Sequence, residues 1–290
     1  MTAATTNGAQ RERQRTLAER ASASEPHGSG SGGAAPEEAQ RERQRTLGVV
    51  KAFVAQLRVE LTLTARRGET LLLTLGIPLL LLVFFSVVDV LPLPAGVDDP
   101  VDFLAPGIIA LAVLSTGLVQ TAIGTAFERQ YGVLKRLGVT PLGRPRLLAA
   151  KVGCILVVEA VQVAVLVGAA LLLGWDPAPE AGVALVAIAL GTVAFCGLGL
   201  AMAGRLRGEV TLAAANGLYL VLLLLGGMVF PLEELPGALR TVSELLPAAA
   251  LSDLLGQAAG LGDATATAWP VLVAWAVLAP MVAALTFRWE

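Results

Sequence analysis

The chain has 290 residues, of which 55% are hydrophobic and only 15% charged, with a mean hydropathy of +0.71. A soluble domain carries about a quarter of its residues as Asp, Glu, Lys and Arg, so this composition excludes one and points to an integral membrane protein. The formal net charge is −2. Many of the arginines lie in a tail that also holds glutamates and lacks aromatic residues, which speaks against a nucleic-acid binder.

Residues 1–48 are rich in Gly, Ser, Ala, Pro and Glu, as in GSGSGGAAPEE, and hold too little apolar surface to offset the entropy of ordering. A disordered tail is expected there. The segment AQRERQRTL occurs twice, at 9–17 and 39–47. It reads as a recent duplication, as translation from an upstream start codon, or as a pair of arginine-bearing binding segments. The first 30 residues contain no apolar h-region of a secretory signal. From Lys51 to Thr64, Phe53, Leu57 and Leu61 share one helical face, the pattern of an amphipathic helix lying on a membrane surface.

Crossing a hydrocarbon core of roughly 30 Å takes about 20 helical residues, and six stretches approach or exceed that length. They are Leu71–Val88, Phe103–Ala126, Val152–Gly174, Ala181–Gly204, Val210–Phe230 and Trp269–Phe287. None alternates polar and apolar residues as a barrel strand would, so an all-α integral membrane fold with six transmembrane helices is expected, occupying 49–290. Between the fifth and sixth spans, Leu245 to Leu261 is broken by Pro247, Asp253 and Gly256 and reads as an outer re-entrant or interfacial helical segment. With the N-terminus inside, every lysine and arginine except Arg240 falls on the inner side, as the positive-inside rule requires. Both termini are then cytoplasmic.

This topology puts Phe127 to Lys151 in the cytoplasm between spans two and three. Phe127, Tyr131, Leu134 and Leu137 recur at one helical face while Arg129, Lys135 and Arg136 point elsewhere, and Thr140-Pro141 ends the helix. The pattern suits an interfacial helix held by anionic lipid and equally a docking helix for a soluble partner.

Glu128-Arg129, Gly132-x-Leu134-Lys135-Arg136-Leu137 and Thr140-Pro141-Leu142, followed by a lysine at the start of span three, resemble the coupling segment of ABC-2 type transporter permeases. The likeness is strongest to the daunorubicin-resistance-like drug exporters of actinobacteria. Gly226-Gly227-Met228-Val229-Phe230-Pro231, Leu235-Pro236 and Leu245-Leu246-Pro247 are similar to the family's fifth span and outer re-entrant region. The resemblance covers Val49 to Glu290 and implies a permease subunit in the bacterial cell membrane. It further implies an ATP-driven exporter of a drug or lipid, with a contribution to multidrug efflux and antibiotic resistance. Two copies, most simply a homodimer surrounded by membrane lipid, would form the path, and a separate ATP-binding subunit would carry ATP and Mg. It also implies that Phe127, Glu128, Arg129, Tyr131, Gly132, Leu134, Lys135, Arg136, Leu137, Thr140 and Pro141 form the ATPase-coupling segment.

No enzyme is expected in this chain. A P-loop needs glycine directly before its lysine, whereas Lys51, Lys135 and Lys151 follow Val50, Leu134 and Ala150. The single histidine, His27, lies in the tail, leaving no catalytic base or metal site in the membrane, and Cys154 and Cys196 read as two buried, unpaired thiols. Glu159 is the one charged residue inside a span. Glu159 serves either as part of a path for cationic or amphipathic cargo or as a protonated carboxyl bonded to a neighbouring helix. Gln162 lies on nearly the same face, and Gln120 and Asn216 are further path or helix-to-helix contact residues. Gly191, Gly197, Gly199, Ala201 and Ala203 predict close packing along span four. A secondary, ion-driven transporter and a structural membrane assembly protein are the alternatives, although a lone intramembrane carboxylate fits the first poorly.

Overall fold

The computed structural model describes residues 51–52, 54–66, 68–88, 99–133, 144–177, 180–228, 232 and 235–287. The regular elements among the described residues are all helices, without a strand. Helix α1 covers 54–66, followed by α2 (Gly68–Val87) and α3 (Pro100–Leu114), which passes through a π-helical turn at Ser115–Gln120 into α4 (Thr121–Gln130). Then come α5 (Arg144–Leu172), α6 (Ala181–Ala203), α7 (Gly208–Leu225), the short α8 (Gly237–Ser243), α9 (Pro247–Ala258) and α10 (Ala268–Thr286).

Five of these runs are long and apolar enough to cross a membrane: Pro100–Gln130, Leu148–Leu172, Ala181–Ala203, Gly208–Leu225 and Ala268–Thr286. The chain is thus a multi-pass membrane protein. The first expected span is α2, whose apolar part, Thr74–Val87, is shorter than the other five. The fifth expected span, drawn to Phe230, instead stops at Leu225. Gly226 follows the helix and Gly227 takes a left-handed φ of 66°, a conformation that ends helices and suits glycine.

The run Pro100–Gln130 is the central post. Nearly every residue of α3 from Leu104 to Leu114 is buried, surrounded by α2, α5, α6 and α9. Lipid tails are as apolar as leucine, so burial alone does not hold such helices together; close van der Waals approach and polar contacts do. Span four provides that approach. A Cβ on Gly197 would lie 2.5 Å from the Pro280 nitrogen of α10, and one on Gly199 would lie 2.7 Å from the Leu118 carbonyl oxygen. Gly191 meets the Leu251 side chain of α9 in the same way, at 3.0 Å. The small-residue expectation for this helix therefore holds. Outward-facing Val157 and Val161 on α5, Leu220 and Leu224 on α7, and Val277 and Leu285 on α10 are exposed, as befits surfaces that meet lipid.

The segment after α7 forms two short helices rather than one span. Pro247 starts α9, and its Ala248, Leu251, Leu254 and Leu255 are buried against α3, α6 and α10. Asp253 accepts hydrogen bonds from the Thr265 backbone N–H at 2.9 Å and its hydroxyl at 2.6 Å, closing the turn into α10. The Trp275 indole donates to the Leu245 carbonyl at 2.9 Å. Pro247 and Asp253, which interrupt the apolar pattern, are thus the residues that start α9 and tie down its far end.

Candidate functional site

Two polar constellations stand out from the apolar bundle. The first occupies the end where α1, the last turn of α4 and the α6–α7 turn meet, here called the basic end. Lys151, in the long helix α5, is buried and reaches Glu128 Oε2 at 2.5 Å and Glu60 Oε1 at 3.3 Å. Glu60 belongs to α1 and also accepts from Gln56 Nε2 at 3.1 Å. A buried ammonium is costly unless paired, and here one cation fastens α1 and α4 to α5. Beside it the Arg129 guanidinium donates to the Leu206 carbonyl in the α6–α7 turn. Phe127 stacks on Tyr131 with ring centroids 6.2 Å apart, and a Cβ on Gly208 at the start of α7 would stand 3.2 Å from the Phe127 ring.

The coupling segment is therefore described only in its first part. Phe127, Glu128 and Arg129 are half-buried and engaged within the chain, and Tyr131 is 71% exposed. Leu134, Lys135, Arg136, Leu137, Thr140 and Pro141 lie outside the described residues, as does Phe53. In the described part of that segment, α4 carries Phe127 and ends at Gln130, Tyr131 is its C-cap, and Gly132 adopts φ 70°. The Tyr131 N–H bonds the Phe127 carbonyl at 2.9 Å and the Gly132 N–H bonds the Arg129 carbonyl at 3.0 Å, a left-handed glycine stop.

The second constellation is in the middle of the bundle. The Thr116 hydroxyl, in the π turn, donates to Gln162 Oε1 at 3.0 Å, and Gln162 Nε2 donates to the Thr74 carbonyl of α2 at 2.7 Å. The Gln120 amide donates to the Thr74 hydroxyl. Glu159, 1% exposed, bonds Thr192 of α6, whose hydroxyl also faces the Ile188 carbonyl at 2.8 Å. A π turn displaces one residue from the α-helical register, and here that turn carries the Thr116 and Gln120 that face α5 and α2. Gln120 thus joins Thr74, Thr116 and Gln162 in one network, while Glu159, one turn before Gln162 on α5, bonds Thr192 of α6.

Asn216 does not join them. It is exposed on α7, and its amide donates to the Leu212 carbonyl of its own helix at 2.8 Å. Sequence reasoning missed Glu60, Thr74, Thr116 and Thr192. Glu60 had a usable signal, since a lysine at the start of an apolar span demands a carboxylate within reach. Lone threonines in apolar helices gave none. Cys154 and Cys196 are buried and free, near Thr64 and Thr121 respectively.

The sequence pattern of the ABC-2 type transporter family matches residues 51–256. The chain belongs to that family. No curated protein matches it at a significant level. Membership makes it an ABC transporter permease, a membrane subunit that is not itself catalytic and that implies an ABC ATP-binding partner. The family match runs from α1 into α9, so both polar constellations of this ABC-2 permease lie within it. Helix α10 lies beyond the matched region, and its Pro280 meets Gly197 in α6.

Proposed function

We propose that this permease is the membrane half of an ATP-driven exporter, in the bacterial plasma membrane with both termini cytoplasmic. Two copies enclose a path for a hydrophobic or amphipathic drug or lipid, and an ATP-binding subunit carrying ATP and Mg docks on the loop between α4 and α5. The observation that supports this reading best is the continuity of Pro100–Gln130, 31 residues of nearly unbroken helix from the buried centre of the bundle to that loop. A push on the loop would move this central helix as a rod. Lys151 binds the last turn of that rod to α5 and α1, so the three elements would move together. Asn216 faces outward from the protomer, where a second copy would meet it, whereas Gln120 and Glu159 are enclosed within one protomer.

The test is reconstitution with the cognate ATP-binding subunit. Replacing Leu134 and Leu137 together by Asp is expected to abolish the permease's stimulation of ATP hydrolysis while leaving its thermal unfolding in nanodiscs unchanged. Full stimulation by the double variant would refute docking through this loop, and transport in vesicles driven by a proton gradient without ATP would favour a secondary carrier.

A further inference from the structure

Helix α6 ends at Ala203 and α7 begins at Gly208, so 204–207 alone join two spans. This link is held on both sides. A Cβ on Gly204 would stand 2.7 Å from the Phe287 ring at the end of α10, and a Cβ on Gly208 would meet the Gln130 side chain and stand 3.2 Å from the Phe127 ring of α4. The Leu206 carbonyl accepts from the Arg129 guanidinium. The Arg207 carbonyl accepts from the Thr211 N–H at 2.8 Å and from its hydroxyl at 3.0 Å. A link fixed in this way holds its side chains at set positions beside the end of α4.

Two of those side chains are Arg205 and Arg207, both exposed, and neither forms an ion pair among the described residues, although the exposed Glu209 is close in sequence. Arg207 is the N-cap of α7 and makes no side-chain capping bond there. A cation at the positive end of a helix is repelled by the helix dipole, and Ser, Thr, Asp or Asn would cap it better. The positive-inside rule calls for a cation in an inner link, but not at an N-cap. A locally unfavourable residue, unpaired on a fixed turn, points to a partner outside the chain. Tyr131, at the end of α4, is 71% exposed and stacks on the Phe127 ring that abuts Gly208. An exposed aromatic ring thus stands on the same support as the two arginines, and Arg and Tyr are the residue types that anchor protein interfaces.

We infer that the α6–α7 turn is a second contact surface for the ATP-binding subunit, with Arg205 and Arg207 pairing with carboxylates of that subunit beside the exposed Tyr131 ring. The inference rests on the reading that an ATP-binding subunit docks on the loop between α4 and α5, and it adds a second hold on the same partner. Because Arg129 ties the last turn of α4 to Leu206, a push on this turn reaches α4, α6 and α7 together.

The experiment places the permease in nanodiscs of phosphatidylcholine alone, without anionic lipid, and titrates it with the purified cognate ATP-binding subunit. Arg205→Glu with Arg207→Glu is expected to weaken binding at least about tenfold, because like charges are brought face to face, while leaving thermal unfolding unchanged. Arg205→Gln with Arg207→Gln should weaken binding less, and added salt should weaken wild type more than this neutral variant. Unchanged affinity of the Glu variant in these nanodiscs would overturn the inference. So would a loss that appears only after phosphatidylglycerol is added, since that identifies a lipid contact instead. Leu134→Asp with Leu137→Asp separates the two readings: if it loses binding while both arginine variants bind normally, docking through the loop stands and the second contact falls, and if wild type does not bind, both fall.

Discussion

Lys151 Nζ lies 2.5 Å from Glu128 Oε2, joining the last turn of the central helical run to the first buried turns of α5. With Glu60 as its second partner at 3.3 Å, the lysine also binds α1. Removing it strands two largely buried carboxylates. Lys151→Met is expected to destabilise the protein by about 3 kcal/mol, the scale for breaking a buried pair by deleting one partner. Adding Glu128→Gln should recover part of that loss. A double-mutant cycle followed by thermal unfolding checks both points, and a fully additive cycle would show that the pair is not coupled.

Gln162 bridges the π turn and α2 by accepting from Thr116 and donating to the Thr74 carbonyl. Gln162→Leu is expected to cost about 1 to 2 kcal/mol, near the upper range for interhelical hydrogen bonds in membranes. Asn216→Leu, on an exposed face and bonded only within α7, should leave the unfolding of the isolated protomer within about 0.5 kcal/mol of wild type. Equal losses from both substitutions would contradict the assignment of Gln162 alone to the interior network.

Glycine positions in the spans divide into two kinds. At Gly197 a side chain would collide with the Ala279–Pro280 peptide, backbone that cannot step aside. Gly197→Val should therefore separate α6 from α10 and cost about 3 kcal/mol or more. Gly168, in α5, has nothing within 4 Å of where its Cβ would be. Gly168→Ala is expected to be neutral or to stabilise by up to about 1 kcal/mol through lost unfolded-chain entropy. Unfolding midpoints of the two variants in one detergent provide the comparison.

Gly132, at φ 70°, stands just past the end of α4 at Gln130. A β-branched residue in that conformation costs about 1 to 2 kcal/mol, whereas asparagine visits it readily. Gly132→Val should reduce stimulation of the partner ATPase several-fold, and Gly132→Asn should retain most of it. Stimulation assays with the ATP-binding subunit separate the two, and equal activity would remove any coupling role for the turn.

Much of this molecule was legible in its linear order. Uninterrupted apolar runs located the helices within a few residues, because lipid forces a spanning backbone to satisfy its own hydrogen bonds and leaves no alternative to the helix. Glycine and alanine density marked α6 as the closely packed helix, and the absence of glycine before any lysine excluded a P-loop.

What only the tertiary structure decided concerns pairing and register. The left-handed Gly132 just past the end of α4 at Gln130, available in φ/ψ space, is invisible to a hydrophobic count. Likewise, sequence could state that Glu159 and Lys151 needed partners, yet not that one would find Thr192 on α6 and the other Glu60 and Glu128. Those residues lie far apart in the chain or on separate elements, and local spacing says nothing about which helix faces which. The insulating bilayer makes partners obligatory; the packing of small residues, which lets particular helices touch, selects them.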